Sequence, residues 1–234
     1  MDDQEALLRD AAGIGALADP VRRQLYQFVC AQPVPVSRDQ AGEAVGIPHH
    51  QAKFHLDRLT AEGLLESDYA RVTGRSGPGA GRTSKLYRRA RRDIAVSLPQ
   101  REYELAGRLM ATAIARSAGT GEPVAEILNR VAREYGHEIG TTVGSSPPKD
   151  ADAALQRAVR VLRRYGYEPR VSEREVELAN CPFHALAQEQ TELACNMNHA
   201  LITGVADALA PYGPDARLCP GRDRCCVVLT AGRR

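Results

Sequence analysis

The chain has no tryptophan, only 5% aromatic residues, and no uninterrupted apolar run of the length that a membrane-spanning helix needs. With Ala and Arg abundant, the aromatic shortage is a compositional bias without functional weight. The acidic start Met1-Asp2-Asp3-Gln4-Glu5 has no apolar stretch behind it, which argues against a secretory signal. The expectation is a cytoplasmic protein with no membrane partner. Its 234 residues suit two modest domains, and 43% hydrophobic with 26% charged residues is ordinary for a globular chain.

Cysteine is missing from the first 180 residues except for Cys30, and five of the six cysteines lie in the last 54. In a reducing compartment, thiols crowded in this way suit metal binding or redox sensing better than stabilising disulfides. Acidic residues are missing from 71 to 92, where eight basic ones stand: Arg71, Arg75, Arg82, Lys85, Arg88, Arg89, Arg91 and Arg92. Against a net charge of +2, the rest of the chain is net negative. A local basic block of this kind is the footprint of a phosphate-binding surface.

Catalytic motifs are missing too. His137-Glu138 lacks the second histidine of a metalloprotease helix, and no Gly-x-Ser-x-Gly occurs. Cys181 and His184 could pair as nucleophile and base, but nothing supplies an orienting third group. Gly74 and Gly79 have the spacing of a nucleotide phosphate loop, yet Ala80 stands where its lysine belongs. The chain is expected not to be an enzyme.

What is present begins with helical punctuation. Asp19-Pro20 opens a helix carrying Val21, Leu25, Phe28 and Val29 on one side, closed by Pro33 and Pro35. Ser37 with Gln40 forms a capping-box pattern for a second helix with Ala41, Ala44 and Val45 inward. Gly46-Ile47-Pro48 predicts a tight turn. A third helix follows over 49–62, with Ala52, Leu56 and Leu59 on one face and Gly63 as its stop. Helix, glycine turn and helix make a helix-turn-helix. Alternating residues on both sides of the glycine-rich stretch 74–81 predict a hairpin wing. It would put Arg71, Arg75, Arg82 and Lys85 within reach of phosphates or a minor groove.

The runs Leu17-Ala18-Asp19-Pro20-Val21-Arg22, Val45-Gly46-Ile47, His55-Leu56-Asp57-Arg58-Leu59 and Glu62-Gly63-Leu64-Leu65 resemble winged-helix bacterial regulators of the broad ArsR type, over roughly residues 10–90. The resemblance implies that the 49–62 helix enters the major groove of double-stranded operator DNA. His49, His50, Gln51 and Lys53 would face bases; glutamine suits adenine and lysine suits guanine. His55 is expected to pack inward.

Three apolar stripes follow. One starts from Pro99 and carries Tyr103, Ala106, Leu109, Met110, Ala113 and Ile114. The next carries Val124, Ile127, Leu128, Val131 and Tyr135 and ends at the glycines of 136–140. The third runs from Ala154 to Leu162 and stops at Gly166. Helix-turn-helix regulators read palindromic half-sites as twofold dimers. The small-residue stripe of the first helix is therefore the expected homodimer seam.

Beyond it, alternation predicts hairpins over 167–179 and 216–230, with a short helix from Pro182 and a longer one over 191–209. The thiols then come from a loop, a helix start and strand ends. Neither the paired Cys-x2-Cys of zinc ribbons nor a ferredoxin run occurs. A zinc site using His184 or His199 and a thiol–disulfide switch at Cys225-Cys226 or Cys219 both stay open.

Asn180-Cys181-Pro182-Phe183, then Cys195 after a short helix, then Gly221…Cys225-Cys226-Val227-Val228-Leu229 resemble the sensor half of SufR-like iron–sulfur repressors. The resemblance implies an iron–sulfur cluster held by Cys181, Cys195 and Cys225. Cys226 is expected on the opposite side of its strand, and Cys219 or His184 are the candidates for a fourth ligand. Where that family has an acidic residue after the second cysteine, this chain has Asn196-Met197-Asn198.

The expected fold is α+β: a winged helix-turn-helix domain over 1–95, a helical coupling and dimerisation segment over 96–165, and a small cysteine-rich α+β sensor domain over 166–234. The expected function is a dimeric DNA-binding regulator whose cluster sets operator affinity. The alternative is a winged-helix regulator with structural zinc or a thiol switch, responding to another ligand.

Overall fold

The computed structural model describes residues 3–70, 84–144, 146–172, 175–221 and 224–232. The chain divides into two compact units, Met1–Val96 and Ser97–Arg234.

The first unit runs α1 (Asp3–Ala16), α2 (Pro20–Ala31), β1 (Val36–Ser37), α3 (Arg38–Val45), α4 (His49–Ala61), β2 (Leu65–Ala70) and β3 (Ser84–Arg89). Local chemistry sets the boundaries. Asp19 caps α2 by accepting the Arg22 N–H at 2.9 Å, and Pro20 occupies the first turn. At α3 the capping box forms: Ser37 Oγ accepts from the Gln40 N–H at 3.3 Å, and Gln40 Oε1 accepts from the Ser37 N–H at 2.8 Å. Gly46, at φ 74°, turns the chain between α3 and α4 in a conformation that side chains with a Cβ resist. Leu25, Val29, Ala52, Leu56, Leu59, Leu65 and Tyr87 form the core. The sheet has the order β1-β3-β2 and is antiparallel throughout. Strand β1 escapes a reading by alternation because it is two residues long. Its pairing of Val36 with Tyr87 is a tertiary event. The expected tip of the wing, with Arg71, Arg75 and Arg82, lies outside the described residues.

The second unit runs α5 (Tyr103–Thr120), α6 (Val124–Thr141), α7 (Ala151–Arg164), β4 (Pro169–Val171), β5 (Glu175–Leu178), α8 (His184–Glu189), α9 (Thr191–Asp207), β6 (Asp215–Leu218) and β7 (Val227–Thr230). Its antiparallel sheet has the order β4-β5-β7-β6. One core joins α5, α6, α7, α9 and the sheet through Leu105, Leu128, Leu162, Val176, Met197, Leu201 and Leu229. The helices of 103–164 therefore share their core with the cysteine-bearing segment.

Two sequence expectations shift here. Helix α6 does not stop at Gly136 but runs through it and Gly140 to Thr141. The glycines serve contact with α9. A Cβ on Gly136 would collide with the Leu201 carbonyl, and one on Gly204 of α9 with the Arg133 carbonyl. Second, α5 begins at Tyr103 and not at Pro99. The residues before it make tertiary bonds instead: the Arg101 N–H to Ser97 Oγ at 2.8 Å, and the Glu102 N–H to the Pro182 carbonyl at 3.1 Å. The stripe expected as a seam between copies faces inward in part. Ala106, Leu109 and Ala113 lie in the core, while Tyr103 and Ile114 are exposed. Among the described residues, no helix is long and apolar enough to cross a membrane.

Candidate functional site

Helix α4 buries Ala52, Leu56 and Leu59 and exposes His49, His50, Gln51, Lys53 and Phe54. The split follows from helical periodicity, because the buried set recurs every three or four residues. The rings of His49 and His50 stand edge to face, 5.9 Å apart. His55 is half-buried, and its Nδ1 is buried without a hydrogen-bond partner. Its ring meets that of Phe54 edge-on at 5.3 Å. Lys85 does not stand free. Its Nζ lies 2.6 Å from Asp57 of α4 and 5.2 Å from the centre of the Tyr87 ring.

The same Asp57 oxygen accepts from Tyr87 Oη at 2.9 Å. Burial acts to raise the Asp57 pKa, but the hydrogen bonds from Lys85 and Tyr87 outweigh it and hold the carboxyl below its ordinary value. Burial, with the Asp57 bond, pushes the Tyr87 hydroxyl above its own. Asp57 thus fastens the wing strand β3 to α4. A groove of about 480 Å³ beside them is lined by Ser37, Arg38, Asp39, Lys53, Tyr69 and Lys85, among others. Of its basic lining residues, Lys85 is paired with Asp57 and Arg38 with Asp39, at 3.8 Å.

In the second unit, β5 leads into the loop that bears Cys181, and α9 carries Cys195 near its start. Cys225 and Cys226 sit just before β7. Cys225 donates its N–H to the Leu178 carbonyl at 2.8 Å, and the Cys226 carbonyl accepts from the Cys219 N–H at 2.7 Å. The four side chains meet in a row: Cys181 with Cys225, Cys225 with Cys226, Cys226 with Cys195. All are free thiols. Strand alternation does not separate Cys226 from Cys225, because β7 begins only at Val227. Cys219 is exposed and takes a bond from Arg224 at 3.3 Å. His184 is exposed as well, and His199 Nε2 lies 2.9 Å from the Ala216 carbonyl. None of these three joins the row.

Within the row the thiols differ. The hydrogen bond from Cys225 lowers the Cys181 pKa against the opposing effect of burial, and a backbone bond at Phe183 adds to it. Burial pushes Cys195 up to about 12. Cys225 is raised to about 12 first by its bond to Cys181. Cys226 is raised by its bond to Cys225 and then by burial. Within the row, Cys181 is shifted toward its thiolate, while Cys195, Cys225 and Cys226 are shifted toward the thiol. Among the described residues, no group of three or more His, Cys, Asp or Glu side chains is arranged to hold a metal ion. The sulfurs meet in successive pairs, Cys181 with Cys225, Cys225 with Cys226 and Cys226 with Cys195.

Three polar residues complete the site, and the sequence pattern did not single out their role. Asn198 is 1% exposed; its Nδ2 lies 3.1 Å from Cys225 Sγ and 4.0 Å from Cys226 Sγ. Its Oδ1 accepts from the buried hydroxyl of Tyr167. The available signal was an asparagine on the apolar face of α9, among Ala194, Met197, Leu201 and Ile202. Arg101 donates from Nη1 to Asn180 Oδ1 at 2.8 Å and to the Cys181 carbonyl at 2.6 Å. Asn180 in turn donates to the carbonyls of Gln100, at 3.0 Å, and Gly166, at 2.5 Å. The first residues after Val96 are thereby tied to the loop that carries Cys181.

Residues 17–68 match the family model of a helix-turn-helix domain, which supports the broad ArsR-type class of DNA-binding transcription regulators, a typically non-enzymatic group. No curated protein and no solved structure matches the chain.

Proposed function

We propose that the chain is a dimeric transcription regulator in which α4 reads operator DNA and Cys181, Cys195, Cys225 and Cys226 hold an iron–sulfur cluster that sets operator affinity. The observation that carries the sensor part is the convergence of four free thiols, one buried and three half-buried, from a loop, a helix and the lead into a strand.

The donor set fits such a group. It is soft sulfur without an intervening carboxylate, and Asn198 turns its amide toward two of the sulfurs. A cluster held there by Cys181, Cys195, Cys225 and Cys226 would supply a tie that oxidation could break. The residues of the chain do the rest. Arg101 and Asn180 transmit a displacement of the 181 loop to residues 97–102, directly after the DNA-reading unit. Dimer formation places two reading helices on palindromic half-sites. A thiol–disulfide switch is the second reading. It is favoured by the direct approach of Cys225 to Cys181, the thiol of lowered pKa.

Anaerobic purification followed by a visible spectrum and iron, sulfide and zinc analysis tests the proposal. Matched iron and acid-labile sulfide, lost in Cys181→Ser, is the expected result. A colourless protein with one zinc, or with no metal and a reversible disulfide, would overturn the cluster and leave the DNA-reading part standing.

A further inference from the structure

Phe54 is the one large apolar side chain that α4 sends outward. It is 65% exposed, and its neighbours one turn away, His50, Gln51 and Arg58, are exposed and polar. Single exposed apolar residues are ordinary on protein surfaces, so exposure alone decides nothing. Its setting says more. Phe54 lies on the same outward face as Gln51 and Lys53, in the second helix of a helix-turn-helix that the family model covers. Its ring is braced edge-on by His55, at 5.3 Å and 72°, and His55 is itself half-buried. The phenyl ring is therefore presented outward from a fixed base. Leu56 and Leu59 show that the core has its own apolar supply from this helix; Phe54 adds nothing to it.

The major groove of B-DNA offers a side chain one apolar group, the C5-methyl of thymine. Its other edge groups are hydrogen-bond donors and acceptors that a phenyl ring cannot satisfy. We infer that Phe54 is a specificity-determining residue that reads a thymine methyl group in the operator, next to the bases that Gln51 and Lys53 contact. The inference rests on the DNA-reading role of α4. It adds a contact that the polar residues of the helix cannot make, and it requires at least one thymine at a set position in each half-site.

The test uses the full-length protein and a pool of random-sequence duplexes. Bound duplexes are selected, and in the enriched sequence each thymine is replaced singly by deoxyuridine, which removes only the methyl group. Affinities are measured for the wild type, Phe54→Ala and Lys53→Ala. Loss of one buried methyl corresponds to a weakening of about fourfold. The expected result is that deoxyuridine at one half-site position weakens the wild type by about that factor. Phe54→Ala binds the thymine duplex more weakly and does not distinguish the two bases there. Lys53→Ala keeps the methyl sensitivity but has a shallower salt dependence. An enriched sequence whose thymines all tolerate deoxyuridine, or methyl sensitivity that survives Phe54→Ala, overturns the inference while leaving the DNA-reading role intact. Failure to enrich any sequence overturns both.

Discussion

In the first unit the polar side chains that matter point outward from one helix; in the second they point inward from segments far apart in the chain. His49, His50, Gln51 and Lys53 occupy two turns of α4, while the core beneath them is filled by Leu56 and Leu59. Cys181, Cys195 with Asn198, and Cys225 come from three places, a loop, helix α9 and the lead into β7, and meet at the edge of the core. A surface of the first kind can change a residue without disturbing its neighbours. A site of the second kind cannot, because each member fills space and holds a hydrogen bond for another. The close approach of α6 and α9 adds to this, since glycine backbone stands where a side chain would otherwise be.

The largest effect should come from that approach. Gly136→Val drives a side chain into the Leu201 carbonyl and is expected to cost about 3 kcal/mol in denaturant unfolding. Unchanged stability would break the contrast at its root. Next, Asn198→Leu leaves the Tyr167 hydroxyl buried without its acceptor and strips Cys225 of a donor. A loss of about 2 kcal/mol is expected, with faster alkylation of Cys225 by iodoacetamide as the buried site loosens. Arg101→Ala removes two hydrogen bonds to the 181 loop. It is expected to cost about 1.5 kcal/mol and to raise amide exchange across 180–183. Exchange confined to residue 101 itself would count against the coupling role.

The first unit should give smaller numbers. Asp57 has a lowered pKa in the fold, so its bonds to Lys85 and Tyr87 stabilise at neutral pH. That contribution is lost as the pH falls through the ordinary aspartate value toward the lower folded one. Asp57→Asn should therefore cost at most about 1 kcal/mol at neutral pH, since the pair is partly exposed, and the gap from wild type should close in acid. Smallest of all, Cys219→Ser lies on the exposed end of the second unit and should leave stability within about 0.5 kcal/mol. A large effect there would bring Cys219 into the buried site and blur the distinction between the row and its surroundings.

The two units also differed in how far they could be read beforehand. The capping box at Ser37, the cap at Asp19 and the turn at Gly46 are interactions over a few residues, and they stand where the pattern put them. The same reasoning took the glycines of 136–140 as the end of α6, which runs through both to Thr141, because a glycine that ends a helix and a glycine that admits a neighbouring helix look alike in one dimension. It also put α5 too far forward, since nothing local reveals that Glu102 bonds to Pro182. Cys181, Cys195, Cys225 and Cys226 could be named as candidates, but strand alternation gives no basis for ranking the last two, because β7 begins only at Val227.

By itself, then, the sequence determined the helix-turn-helix, the outward residues of α4 and the pool of thiols, since capping, turns and periodicity act within a few residues. The tertiary structure alone decided which thiols meet, that Asn198 and Tyr167 stand behind them, and that Arg101 grips the Cys181 loop. Those choices depend on how closely α6 approaches α9 and on the pairing of Val176 with Leu229 across β5 and β7. Packing brings together residues whose separation along the chain carries no mark of their nearness.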